Sequence, residues 1–129
     1  MYAYIKGTLV ETAPTKVIVE SLGIGYQLLI PLSSSSTLPQ IGQKVFLHTV
    51  FIVREDAHTL YGFITKEEKN IFELLIGVSG IGPKTALSIV GHLDFMNFHK
   101  AIQDANPFLL SKIPGIGKKL ANEIKEVLK

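Results

Sequence analysis

The 129-residue chain has no cysteine, which excludes disulfides and thiolate chemistry and favours an intracellular, cytoplasmic setting. No stretch approaches the roughly 20 consecutive apolar residues that cross a bilayer, so no membrane association is expected. The opening Met1-Tyr2-Ala3-Tyr4-Ile5-Lys6 starts a strand-like alternation and lacks the apolar centre of a secretory signal. A Walker lysine motif is missing, and so are a Gly-x-Ser-x-Gly elbow and any zinc-ligand pattern. The four histidines, His48, His58, His92 and His99, are scattered without ligand-like spacing and read as ordinary side chains. No catalytic residue, metal or cofactor is therefore expected. Charge of one sign is scarce too. The net charge is +2, and residues 1–64 carry four basic and four acidic side chains. Nine lysines against seven acids in residues 65–129 supply the whole excess. Any nucleic-acid affinity must come from local placement rather than bulk charge.

What the chain does have is one short stretch used twice. Gly80-Ile81-Gly82-Pro83-Lys84 is followed thirty-five positions on by Gly115-Ile116-Gly117-Lys118-Lys119. Each copy has an apolar residue two before its first glycine (Val78, Ile113) and an alanine four after its second (Ala86, Ala121). Each sits between helix-like runs. A turn this tight calls for residues that tolerate positive φ, hence glycine. With no side chains in the way, the turn amides and those of the next helix's first turn can converge on one anion. A lysine just beyond adds full charge. The pattern predicts tandem helix-hairpin-helix units gripping a nucleic-acid backbone, with candidate contacts at Ser79, Gly80, Ile81, Gly82, Pro83 and Lys84. The second set is Pro114, Gly115, Ile116, Gly117, Lys118 and Lys119. The plain alternative is a pair of packing turns that let helices cross closely.

The first half alternates like a small β-barrel. Strands are expected over Tyr2–Val10, Lys16–Leu22, Tyr26–Pro31, Lys44–Val53 and His58–Phe63, with Gly23-Ile24-Gly25 permitting a hairpin. The serine run 33–36, with Pro39 and Gly42, reads as a loop. Short strands with no long intervening helix point to a closed or nearly closed barrel of the OB type, though composition alone does not separate it from an SH3-like barrel. The strand rings, among them Tyr2, Tyr4, Tyr26, Tyr61, Phe51 and Phe63, read as barrel core. Bases stacked on such rings are the other use.

At Thr65 the period changes. Thr65-Lys66-Glu67-Glu68 has the spacing of a capping box, and Ile71, Phe72, Leu74 and Leu75 form a 3.6-period stripe behind it. Pro83 suits the first turn of a helix reaching about Val90, closed by Gly91. Asp94 is placed to cap a third helix carrying Phe95, Phe98 and Ile102. Asn106-Pro107 opens a fourth with Leu109 and Leu110. Leu120, Ala121, Ile124, Val127 and Leu128 mark a last helix, which ends the chain at a domain edge. The expected architecture is α+β in two domains: a barrel over 1–64 and a tandem helix-hairpin-helix domain over 65–129.

Glu55 and Asp56 are two adjacent acids at an expected hairpin tip. Taken by themselves they read as a solvated turn. A catalytic pair finds no support, because no other acid or histidine cluster completes it. A third reading is electrostatic: carboxylates held against DNA repel phosphates and keep a continuous duplex out.

Together these stretches resemble the RuvA family. The match rests on the barrel, on Val53-Arg54-Glu55-Asp56-Ala57 leading to Leu60-Tyr61-Gly62-Phe63, and on the two hairpins Gly80–Lys84 and Pro114–Lys119. It runs the length of the chain. The resemblance implies a non-catalytic scaffold that binds four-way (Holliday) junctions and holds them open. It also implies a homotetramer or octamer, acidic pins Glu55 and Asp56 at the crossover, and hairpins on the arms. Implied partners are the RuvB ATPase and the RuvC resolvase. The family's third helical domain, which contacts the ATPase, has no counterpart in these residues, so junction binding without RuvB stimulation is expected. Leu120-Ala121-Asn122-Glu123 stands where many members carry Thr-Ala-Glu-Arg, which points to a weaker second grip. Two rivals remain. One is a generic duplex- or single-strand-binding module. The other is a helix-hairpin-helix glycosylase, for which Lys84 or Asp94 would have to act without any visible base pocket.

Overall fold

Five strands close on themselves in the order β1-β2-β3-β5-β4, in the computed structural model of the chain, which describes residues 2–92 and 121–122. The strands are β1 (Tyr4–Ala13), β2 (Lys16–Ser21), β3 (Ile24–Leu29), β4 (Lys44–Val53) and β5 (His58–Phe63). This is the expected OB-type closed barrel. Every neighbouring pair is antiparallel except β3 and β5, whose parallel contact is the bridge Leu29↔Tyr61 that completes the ring.

Closure depends on β1, which serves two neighbours. Its first half pairs with β4 (Tyr4↔His48 to Thr8↔Lys44), and from Thr8 on it pairs with β2 (Thr8↔Glu20 to Ala13↔Lys16), with an irregularity between Leu9 and Glu11 inside that ladder. Where the strand changes partner it passes the Glu20 carbonyl closely enough that a Cβ on Gly7 would lie 2.2 Å from that oxygen. Only glycine fits this corner, and a bare backbone lets the strand bend there.

Alternation then fills the interior. Ile5, Leu9, Val17, Val19, Leu28, Ile30, Val45 and Leu47 form one buried cluster, with Tyr26, Leu38, Leu60 and Ile64 packed against it. Between β3 and β4 the serine run forms a short 3₁₀ segment, Leu32–Ser36, rather than an open loop. Ser35 and Ser36 hydroxyls donate to the carbonyls of Leu32 and Ser33, which explains how a serine-rich stretch coils locally. The β2–β3 hairpin turns at Leu22-Gly23 (φ 50° and 84°), one residue earlier than the glycine spacing suggests.

The chain divides into two compact units, Met1–Asn70 and Ile71–Lys129. Helix α1 (Lys66–Ile76) starts with the expected capping box. The Glu68 amide donates to Thr65 Oγ1 at 3.1 Å, and the Thr65 amide donates back to Glu68 Oε1 at 3.1 Å. Helix α2 (Pro83–Gly91) has proline at its first position, as expected. In the second unit Ile71, Phe72, Leu75, Val78, Ile81, Ala86, Ile89, Val90 and Ala121 are buried. The expected helices capped by Asp94 and opened by Asn106-Pro107 lie outside the described residues, as does most of the last one.

Candidate nucleic-acid interface

The first glycine hairpin is held from below and bare above. Helix α1 ends with the Gly77 and Val78 amides donating to Leu74 and Leu75 carbonyls, and the Ile81 amide closes the turn on the Val78 carbonyl at 3.1 Å. Val78 and Ile81 are buried, whereas Ser79, Gly80, Gly82 and Lys84 are exposed. Two apolar anchors thus present small residues and one lysine to solvent. The Ile81 side chain is buried, and its amide is taken up by the Val78 carbonyl, so this residue holds the turn in place.

The two glycines differ. Gly80 has φ +90°, a conformation that L side chains avoid, so the turn needs it. Gly82 has φ −83° and ψ 169°, ordinary extended backbone. Among the described residues, a Cβ there would meet nothing within 4 Å. The expectation that positive φ demands glycine therefore holds at Gly80 and fails at Gly82, where the fold would accept most residues.

Gly82 is also the N-cap of α2, and it offers no side-chain hydrogen bond to the helix end. The first intrahelical bond runs from the Ala86 amide to the Gly82 carbonyl at 3.0 Å. The amides ahead of it, on Lys84 and Thr85, have no carbonyl to reach within a helix, and Pro83 has no amide at all. Their partial positive charge, with the positive end of the helix dipole and the Lys84 ammonium, suits an anion. Thr85 was not named from the sequence, although the expectation covered the amides of the helix's first turn; the proline-started helix places two such amides just after the ring.

Pro114, Gly115, Ile116, Gly117, Lys118 and Lys119 lie outside the described residues, so their expected hairpin stands as a sequence reading. One neighbour is described. Ala121, four after Gly117, is fully buried, as is Ala86, four after Gly82.

Glu55 and Asp56 occupy the two-residue tip of the β4–β5 hairpin. The Arg54 amide donates to the Ala57 carbonyl at 2.8 Å, and the Ala57 amide donates back at 3.4 Å. Both acids are exposed, at the end of the ladder pair Val53↔His58. Tyr61, further along β5, is 5% exposed; burial pushes its phenol above the usual 10.0, while the Arg54 charge pulls the other way.

The rings do not all serve the core. Phe63 and Tyr61 are buried, but Tyr2 and Tyr4 are 54% and 58% exposed, and Phe46 is 43% exposed. Tyr4 stacks on Phe46 (centroids 4.9 Å apart), and Tyr2 meets Phe51 edge-on at 5.2 Å. Tyr2, Tyr4 and Lys6 alternate with buried Ile5 in the sequence itself, which is the sign that they face outward. Among the described residues no three His, Cys, Asp or Glu side chains gather as a metal site, and no helix is long and apolar enough to cross a membrane.

Comparison with known proteins agrees with this layout. Residues 1–62 match the family described as RuvA N terminal domain, and residues 72–129 match the SAM-like helix-hairpin-helix tandem. The chain is 46% identical over 129 residues to the Holliday junction branch migration complex subunit RuvA of Protochlamydia amoebophila, covering all of this chain and 64% of that protein. It is 50% identical over 124 residues to the protein of the same name from Staphylococcus saprophyticus, covering 96% and 62%. With that of Methylibium petroleiphilum it shares 43% identity over 129 residues, 67% of the relative's length. The chain thus spans a little under two thirds of the first two relatives, and by these matches it belongs to the RuvA family.

Proposed function

We propose that this chain is a non-catalytic, structure-specific DNA-binding protein that holds four-way junctions open for branch migration by a partner ATPase. The observation that carries the proposal is the N-terminus of α2. Exposed Gly82 has no conformational reason to be glycine, and it stands over two amides the helix leaves free. A phosphate oxygen fits that place, and it carries no base identity, so the grip is independent of sequence. The relatives' name supplies the junction. In this reading residues 1–64 form the centre and residues 65–129 grip the arms through both hairpins, Ser79–Lys84 and Pro114–Lys119.

Glu55 and Asp56 act as pins at the crossover. A carboxylate pressed to about 4 Å from a phosphate is repelled by about 1 kcal/mol in water and about 4 kcal/mol near a protein surface, enough to disfavour continuous duplex at that point. The homotetramer or octamer, RuvB acting through a domain beyond these residues, RuvC on the same junction and a cytoplasmic location complete the proposal.

A gel-shift titration tests it. The chain should prefer a four-way junction to linear duplex, and Glu55→Gln with Asp56→Asn should erase that preference by raising duplex affinity. Equal affinity of the unaltered chain for both substrates would favour a generic duplex- or single-strand-binding module. Affinity should also fall with salt, by about 0.9 in log–log slope per phosphate contact.

A further inference from the structure

We infer that the outer face of the β1–β4 ladder, with the barrel mouth beside it, is a stacking platform for unpaired DNA bases. The inference rests on the DNA-binding reading above and adds a second, separate mode of contact. Three ladder pairs set the face: Tyr4↔His48, Lys6↔Phe46 and Thr8↔Lys44. Their outward side chains interleave rings with two exposed lysines, and no carboxylate stands among them. The opposite side of the same strands, Ile5, Val45 and Leu47, is buried in the core. These rings pack on one another outside the core cluster.

Beside this face opens a cavity of about 250 Å³ lined in part by Tyr2, Tyr4, Lys6, Tyr26 and Leu60. Its size suits one planar ring system, and three tyrosines and a lysine are among the residues that line it. Leu60 pairs with Phe51, three ladder steps from the Arg54–Ala57 turn, so this wall of the cavity lies about 10 Å along the hairpin from the turn that carries Glu55 and Asp56. Carboxylates at the tip turn a backbone away, whereas rings below it receive bases, which carry no charge. A strand whose pairing is interrupted beside the tip meets that sequence of surfaces. Stacking accepts every base, so the platform shares the hairpin's indifference to sequence. A second copy of this chain is the other occupant that exposed rings suggest, but two lysines within the ring set favour a polyanion over a like-charged face.

The absence of tryptophan makes the test direct, because tyrosine emission is then the chain's own signal. The probe is an oligothymidylate of about 12 nucleotides, within the ~4–16 spanned by one OB barrel. It should quench tyrosine emission saturably. Tyr2→Leu with Tyr4→Leu, both at exposed positions, should weaken oligothymidylate binding by about 5- to 150-fold per lost stack while linear-duplex affinity is unchanged. Lys6→Gln with Lys44→Gln should lower the single-strand salt slope by about 1.4. Lys84→Gln should weaken duplex binding and leave the quenching intact, so failure of the hairpin grip and failure of the platform give different patterns. An iodouracil-substituted strand should photocross-link to Tyr2, Tyr4 or Phe46. Absence of saturable quenching, quenching untouched by the tyrosine pair, or cross-links confined to residues 79–84 would overturn the inference. So would tyrosine emission that changes on diluting the protein alone, with sedimentation altered in the tyrosine variant, since the face would then be covered by a second copy.

Discussion

Replacing Gly82 by serine should separate the stability of α2 from its hold on an anion, because the two respond in opposite directions. The backbone at Gly82 is already in the extended conformation that an N-cap adopts, and an added Cβ meets nothing within 4 Å among the described residues. Serine therefore fits without strain. Its Oγ accepts from the Lys84 or Thr85 amide, and the unfolded chain loses glycine's freedom. Together these stabilise the folded state by about 0.5–1 kcal/mol, or a rise of about 2–8 °C in the melting temperature of the helical signal. The same hydroxyl stands where a phosphate oxygen would sit, and it takes up an amide that the phosphate would use. Losing one charge-assisted hydrogen bond of about 1.5–3 kcal/mol weakens duplex binding by about 10- to 150-fold at fixed salt. Circular dichroism melts and fluorescence anisotropy with labelled duplex give both numbers on one preparation. A more stable protein with unchanged affinity would show that these amides do not touch DNA. A less stable one would show that the N-cap argument itself is wrong.

Three further outcomes concern the barrel. Gly7→Ala should destabilise it by about 3 kcal/mol or more in urea unfolding, because the new methyl lies 2.2 Å from a backbone oxygen and β1 and β2 must separate to admit it; a near-neutral effect would remove Gly7 as the closing corner. Leu22→Asn should stabilise by about 1 kcal/mol, since Leu22 holds φ 50° while 101% exposed and Asn-Gly suits that turn; a lowered urea midpoint would mean the leucine packs against something. Tyr61 sets an alkaline limit. Its phenol titrates higher folded than unfolded, so its contribution is complete below about pH 10 and lost as pH rises through the folded value. Tyr61→Phe should flatten the fall of the urea midpoint as pH rises above about 10, and an unchanged slope would place the alkaline sensitivity elsewhere.

What could be read in advance was local. The capping box works between residues three apart, so Thr65 and Glu68 announce it whatever surrounds them. Strands β4 and β5 show their limits because apolar alternation and the acidic turn lie in one continuous stretch. Gly7 gives no such warning: the carbonyl that excludes a side chain belongs to Glu20, thirteen residues away, and only barrel closure brings it near. The 3₁₀ segment at Leu32–Ser36 was hidden for another reason. Serine is a weak helix former in isolation, and here its hydroxyls bond to the carbonyls three residues back.

The site divides along the same line, and Gly82 shows why. From the sequence, Gly80 and Gly82 look alike, and conformational freedom explains both equally well. In the fold the explanations part: Gly80 is glycine because of its φ, while nothing among the described residues accounts for Gly82. A glycine that the described packing does not require, at an exposed position over two free amides, is what the proposed phosphate contact calls for. The tyrosines argue similarly from the other side. Tyr2 and Tyr4 are more than half exposed and outside the core cluster, and with Phe46 they form a group of rings on the surface rather than single exposed side chains. In both places the discriminating fact is what intramolecular packing leaves unexplained, and only the arrangement of neighbours reveals that remainder.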